Sequence, residues 1–262
     1  MNAWVKMRGE RRPVTREVDP IGGAVRLEAG WIALDRIEPD APVDGAAYGV
    51  ALNSKATLAA LGEALYRDPY KQPPNAPVLY LKPPNTWIGY GEPIPCPPGV
   101  DRLHMGGSLG AVIGRTACRV AEHDALDCVG GYVIVIDVSI PHESYYRPAV
   151  RQQCRDGFCP MGPWVMGRDA IADPAAIEIR IKVNRELRCV SHATDLVRPL
   201  PRLIADISEF MTLRAGDVLL IGEPDNAPLA GPGDRVRVEI DGAGWLENPI
   251  VSENELAERR RA

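Results

Sequence analysis

The chain has 262 residues, a formal net charge of −5 and 45% apolar residues, with 25 Gly and 25 Pro. Gly plus Pro is about a fifth of the chain, against a usual share of about 12%, so many turns are expected and long coiled coils are excluded. Collagen is excluded because no three-residue Gly period exists, and the apolar fraction argues against global disorder.

The charge leaves no footprint for nucleic acid. The longest apolar runs, such as 132–136, are too short to span a membrane. Residues 1–13 are charged and carry no leader-like apolar core. Six cysteines occur without a C-x-x-C pair, which predicts reduced thiols and a cytoplasmic location.

In chain order, the basic stretch 6–16 reads as a solvated end. Residues 24–34 predict a strand pair broken at Gly30, and 38–45 a connector rich in Pro, Asp and Gly. A strand over 48–52 leads into a helix over 54–66 capped by Asn53, with Leu58, Leu61 and Leu65 on one face. A Pro-rich loop over 68–77 precedes a strand over 77–82, and 93–99 is a second Pro-dense loop.

Apolar, β-branched strands are expected over 109–114 and 132–138, with a helix over 121–129 between them. Residues 141–163 read as a long polar loop. Residues 176–183 alternate with the period of a half-buried strand. An amphipathic helix is expected over 200–211, then strands over 218–222, 235–240 and 244–248, with 259–261 a solvated basic tail. Strands outnumber helices, so the fold class is α+β and mostly β.

Nine blocks occur in a fixed order. They are A-L-N (51–53), Y-L-K-P-P-N-T (80–86), A-V-I-G-R-T-A (111–117), G-Y-V-I-V-I-D-V-S (131–139) and C-R-D-G-F-C-P-M-G (154–162). They continue with V-N-x-E-L (183–187), S-E-F-M-T-L-x-x-G-D (208–217), P-G-D-x-V-x-V-E-I (232–240) and L-E-N-P-I-V (246–251). Through these blocks the chain resembles the fumarylacetoacetate hydrolase family. The runs E-S-Y-Y-R-P (143–148) and G-E-P-I-P (91–95) look like the isomerase half of the 4-hydroxyphenylacetate-degradation isomerase/decarboxylases.

The resemblance implies a mixed β-sandwich roll with a few short helices. It implies an N-terminal extension (1–47), a catalytic domain (48–252) and a charged tail (253–262). It also implies chemistry on 2-oxo acids and their enols, with a divalent cation (Mg²⁺, Mn²⁺ or Ca²⁺) held by three carboxylates as a Lewis acid.

The sequence departs from that pattern at its centre. The family writes H-x-E-x-E, whereas here the run is His104-Met105-Gly106-Gly107-Ser108. Gly106 and Ser108 occupy the Glu positions, and Asp137 alone remains of the acidic set. The family's lid His and Glu fall at Thr57 and Ala60, and its G-T-P turn reads Gly222-Glu223-Pro224. A hard cation needs several anionic oxygens in a fixed cage. The expectation is therefore no tightly bound metal, with a cation recruited together with the substrate.

Candidate catalytic residues are Asp137, Lys82 and His142, with Glu143 beside the last. Candidate substrate-binding residues are Arg147, Arg155 and Tyr145. An Arg fork suits a carboxylate, and a carboxylate in an apolar setting suits proton relay. His104 reads as a hydrogen-bonding structural residue.

The resemblance implies an isomerase that shifts a double bond in a 2-hydroxy-dienoate or 2-oxo-enoate dicarboxylic acid of aromatic-acid catabolism. A 5-carboxymethyl-2-hydroxymuconate-like compound is the expected substrate. Two alternatives stay open. One is a catalytically degenerate subunit supporting a metal-bearing paralogue, and the other an acylpyruvate hydrolase or 2-oxo acid decarboxylase. The expected partners are the small molecule and a second copy or paralogue, as homodimer or heteromer, with no nucleic acid and no membrane.

Overall fold

The computed structural model describes residues 1–142, 144–259 and 261. The first part of the chain forms β1 (Asn2–Met7), β2 (Val14–Asp19), β3 (Ala24–Leu27), β4 (Gly30–Ala33) and β5 (Pro39–Asp40). Then come β6 (Ala47–Ala51), α1 (Lys55–Leu61), β7 (Val78–Lys82), β8 (Trp87–Ile88) and β9 (Ile94–Cys96). Two long strands, β10 (Leu103–Ile113) and β11 (Val129–Ser139), precede α2 (Val150–Gln153), β12 (Cys159–Gly167), β13 (Glu178–Val183) and β14 (Glu186–His192). The chain closes with α3 (Leu200–Phe210), β15 (Val218–Leu220), β16 (Leu229–Ala230), β17 (Arg235–Ile240), β18 (Gly244–Ser252) and α4 (Glu253–Arg259).

The larger sheet runs β4-β3-β2-β1-β12-β11-β10-β15-β6-β7, and the smaller β14-β13-β17-β18-β9. Both are mixed, because β15 pairs parallel to β6 and β18 parallel to β9. This is the mostly-β roll expected from the sequence.

The central strands β10 and β11 are buried on both faces, which explains their continuous apolar runs. On one face Met105, Leu109, Ile134 and Ile136 meet Ile179, Ile181, Val236 and Val238 of the smaller sheet. Gly107 stands where the sheets approach, since a Cβ there would lie 3.0 Å from Ile181. On the other face Val133, Val135 and Val218 form a second core with Ala41, Val43 and Met161.

Several expectations shift. The basic stretch 6–16 is not a frayed end. It belongs to the β1–β2 hairpin, where Lys6 pairs with Asp40 at 2.7 Å and Arg16 donates to the Val5 carbonyl at 2.8 Å. The first strands extend the main sheet directly, because β1 pairs with β12. The 141–163 loop contains α2 and most of β12, whose residues are buried despite two prolines.

The expected helix over 121–129 is a 3-10 helix over Glu122–Cys128. Ser54, not Asn53, caps α1, accepting from the Thr57 N–H at 3.3 Å. The β13–β14 hairpin turns through Asn184 and Arg185, both at positive φ. Arg is an unusual residue there, so the sequence carried no clear turn signal. Arg259 lies on α4 and pairs with Glu255 four residues back. No helix among the described residues is long and apolar enough to cross a membrane.

The N-terminal strands are load-sharing parts of this sheet, since Val5 is fully buried. Val5→Asp places an unpaired charge there. We expect it to lower unfolding stability by about 3 kcal/mol or more in a urea titration. An unchanged midpoint would mean that β1 is not docked.

Candidate active site

Lys82 ends β7, and the prolines at 83 and 84 fix the backbone beyond it. Its side chain is fully buried and meets the carboxylate of Asp137, with Nζ 2.7 Å from Oδ1. The ammonium also donates to the carbonyls of Val138 (2.8 Å), Phe158 (3.1 Å) and Gln153 (3.2 Å). Burial opposes the charge most strongly, but the neighbouring acidic groups, Asp137 foremost, together outweigh it, so the Lys82 pKa lies above its ordinary value.

The other oxygen of Asp137 accepts from the Tyr80 hydroxyl. Burial, then the Asp137 charge, push the Tyr80 phenol well above its usual pKa and keep its proton on. Tyr80 finds room because its ring lies over Gly49 of the adjacent strand, where any Cβ would overlap it.

Gly106 is the register partner of Asp137. A Cβ on Gly106 would overlap the Oε2 of Glu223 and lie 2.9 Å from the Asp137 carbonyl. The Glu223 side chain therefore occupies the space above the glycine. Burial first, then the Asp137 charge, raise its pKa to about 8, with Lys82 opposing.

The turn that delivers Glu223 is fixed by Asn53. Its buried amide donates to Ile221 (2.8 Å) and Arg198 (3.0 Å) carbonyls and accepts from the Arg198 N–H at 2.9 Å. Gly222, at φ 125°, supplies a backbone conformation that L side chains rarely adopt.

Glu223 also lines a small cleft with Asn53, Ser54, Thr57, His104, Tyr145 and Asp225. His104 is half-buried. Burial, and then the charge of nearby His142, lower its pKa and favour the neutral ring. His142 places Nδ1 3.0 Å from the Ile140 carbonyl and its ring 5.9 Å from that of Tyr145. The Tyr145 N–H donates to the Tyr70 hydroxyl at 2.9 Å.

The candidate residues thus separate. Asp137 and Lys82 form one buried pair, and Tyr145 lines the cleft with the His142 ring beside its own. Lys82, expected among the catalytic residues, has its donors engaged by four protein oxygens, so the geometry gives it a positioning part. Arg155 points elsewhere, paired with Glu253 at 2.7 Å beside α4. Arg147 is exposed, and Glu143 lies outside the described residues.

Sequence reasoning missed Tyr80 and Glu223 as members of the site. The signal for Glu223 was present as an acid in the Gly222-Glu223-Pro224 turn. Cys159 is buried near Lys82, but burial pushes its thiol pKa far up, which argues against a nucleophile.

The residues present do not fit a resident divalent cation. Gly106 and Ser108 bring no carboxylate, and the Ser108 hydroxyl has the Leu109 carbonyl at 3.4 Å as its hydrogen-bond partner. Both Asp137 oxygens are engaged. Among the described residues, no group of three or more His, Cys, Asp or Glu is placed to hold a metal.

A β-roll that holds a buried ionised pair beneath a polar cleft is an architecture suited to small molecules. The family pattern described as the fumarylacetoacetate (FAA) hydrolase C-terminal region matches residues 46–251, and the chain belongs to this family. It is 42% identical over 216 residues to the 4-hydroxyphenylacetate degradation bifunctional isomerase/decarboxylase of Escherichia coli, covering 82% of this chain and 49% of that protein. The chain spans about half the length of that relative.

Oxaloacetate tautomerase YisK of Bacillus subtilis is 32% identical over 68% of this chain and 62% of its own length. The solved 5-carboxymethyl-2-hydroxymuconate delta-isomerase of Mycobacterium smegmatis superposes with a TM-score of 0.76 at 29% identity, over 96% of this chain and 98% of that one.

Removing one member of the buried pair leaves an uncompensated charge. Lys82→Met should cost about 3–5 kcal/mol of stability by urea denaturation. The double variant Lys82→Met with Asp137→Asn should recover much of it. Equal losses in both would show that the pair is not coupled.

A second expectation concerns pH. Glu223 binds its proton more tightly folded than unfolded, so this contribution to stability is present at pH 4.5 and lost as pH rises towards 8. Asp137, Lys82 and His104 face this group, and the lowered His104 pKa acts in the opposite sense over part of the range, so the decline between pH 5 and 8 is read as the difference in thermal unfolding between wild type and Glu223→Gln.

Proposed function

We propose that this chain is an isomerase of the family, moving a double bond by a 1,3-proton shift in a 2-hydroxy-dienoate or 2-oxo-enoate dicarboxylic acid. A 5-carboxymethyl-2-hydroxymuconate-like compound from aromatic-acid breakdown is the proposed substrate. The observation that carries the reading is the carboxyl-bearing cleft, with Glu223, His104 and Tyr145, set against the Asp137–Lys82–Tyr80 cluster. The names of the similar proteins favour the same chemistry, because isomerisation and tautomerisation of such acids both relocate one proton.

The shift needs no oxidant and no net water. In the 2-oxo-enoate a proton leaves C3, another arrives on C5 and the C=C bond moves from C4–C5 to C3–C4; the 2-hydroxy-dienoate is the enol between these forms, losing its hydroxyl proton as C5 is protonated. Lys82 holds the Asp137 carboxylate in place close to Glu223, which fixes the electrostatic surroundings of the cleft carboxyl. Tyr145 lines the cleft and His142 stands beside it; His142 is the proposed proton relay and Tyr145 the proposed substrate contact. Arg147, two residues beyond Tyr145, is the proposed contact for a second carboxylate.

A second reading rests on a specific pair of facts. The chain matches half of a fused isomerase/decarboxylase, and its own donor set does not suit a cation. It would then act as the supporting partner of a metal-bearing paralogue.

The deciding measurement is the ultraviolet absorbance change of 5-carboxymethyl-2-hydroxymuconate, with and without Mg²⁺ or Mn²⁺. Turnover by the chain alone is expected. No turnover under either condition would overturn the isomerase reading. Turnover that appears on mixing with a co-eluting paralogue would favour the second.

A further inference from the structure

The cleft contains a carboxyl group that the isomerase reading leaves without a task. Position 106 has no side chain, yet the space a side chain would fill is occupied by the Glu223 carboxyl arriving from another strand connection. Gly106 faces Asp137 across the β10–β11 ladder, so the acid sits over the same strand pair that holds the buried ion pair. It is delivered there by a built turn, in which buried Asn53 ties down Ile221 and Arg198 and Gly222 supplies the positive φ. The same side chain lines the cleft with His104 and Tyr145.

We propose that Glu223 is a catalytic residue, the general acid that protonates the 2-oxo oxygen of a 2-oxo acid as its carbon-bound proton is removed. The proposal rests on the isomerase reading and deepens it. The step balances. A C–H bond breaks and its electron pair forms the new C=C bond. The carbonyl π pair moves onto oxygen and takes the proton of Glu223. The proton taken from carbon passes through water or His142 and restores the Glu223 acid. In the reverse direction, which starts from the 2-hydroxy-dienoate, the ionised form of Glu223 takes the enol proton, so turnover of the dienoate should rise with pH as Glu223 loses its proton.

A neutral carboxyl has one donor and one acceptor oxygen, which is what this step needs. The burial that raises the Glu223 pKa to about 8 keeps the donor filled at neutral pH. Asp137 cannot substitute, because its two oxygens are held by Lys82 and Tyr80. Ketosteroid isomerase, which also moves a double bond, likewise uses a carboxylic acid kept neutral by its surroundings.

The test compares wild type, Glu223→Gln and Glu223→Asp by two readouts, with folding checked by circular dichroism. The first is kcat and KM on 5-carboxymethyl-2-hydroxymuconate. Glu223→Gln should lower kcat about 100-fold or more with KM changed less than about threefold. Glu223→Asp keeps the acid but shortens its reach, and should fall between the two.

The second readout is deuterium exchange from solvent into C3 of 2-oxoadipate, followed by proton NMR, which needs no isomerisation. Loss of exchange in Glu223→Gln supports the inference even where the dienoate is not turned over, in which case only the isomerase reading fails. Exchange or kcat equal to wild type in Glu223→Gln overturns the inference. Absence of both activities in the wild type overturns it together with the isomerase reading. Should Glu223→Gln not fold, Glu223→Asp alone decides, and unchanged kcat or exchange in it counts against the acid.

Discussion

The buried ammonium of Lys82 is the constraint on which the centre of this fold depends. Taking an ammonium and a carboxylate out of water costs several kcal/mol per ion after relaxation. Here the cost is offset by one carboxylate and three carbonyls, drawn from β11, the end of α2 and the approach to β12. A single side chain on an edge strand therefore ties three separate segments to one point. The backbone beside it is restrained as well, since the Trp87 indole N–H donates to the Lys82 carbonyl at 2.8 Å. Such a point tolerates little variation, because any partner removed leaves a charge stranded in the interior.

Around that point, space is exchanged between neighbouring strands. Gly49 yields its side-chain volume to the Tyr80 ring, and Gly106 yields its own to Glu223. In each case the missing Cβ on one element is what admits a polar group from another. The groups of the cleft and of the buried cluster beside it are thus not carried on one motif. They are assembled from β7, β11 and the turn after β15, held in register by the β10–β11 ladder.

This assembly explains what was legible in the sequence. The alternation over 176–183, the apolar run of β11 and the amphipathic α3 follow from local pattern, and each appears close to its expected bounds. Lys82 and Asp137 stood out as charged residues at the ends of apolar strands. The β1–β2 hairpin did not, because its charged residues satisfy one another across strands and look like a solvated run when read linearly. Arg155 looked like an anion site from its loop, but its partner, Glu253, is 98 residues away. Glu223 was visible only as an odd acid in a turn. Its meaning depends on the absence of a side chain at Gly106, a relation between two strands that no local window contains.

The charge of the cleft then limits what enters it. Glu223 and Asp225 line it, and among the described lining residues there is no Lys or Arg. A dicarboxylate approaching an ionised Glu223 would be repelled at close range in a medium of reduced dielectric. With its proton on, Glu223 presents a donor instead of a charge, and Lys82 offsets part of the Asp137 charge behind it. The same burial that makes Glu223 a proton donor thus also makes the cleft permissive to an anion. The proposed reaction asks both properties of one side chain, so the geometry around Gly106, more than any basic residue in the lining, bears on how the cleft would receive the proposed acidic substrate.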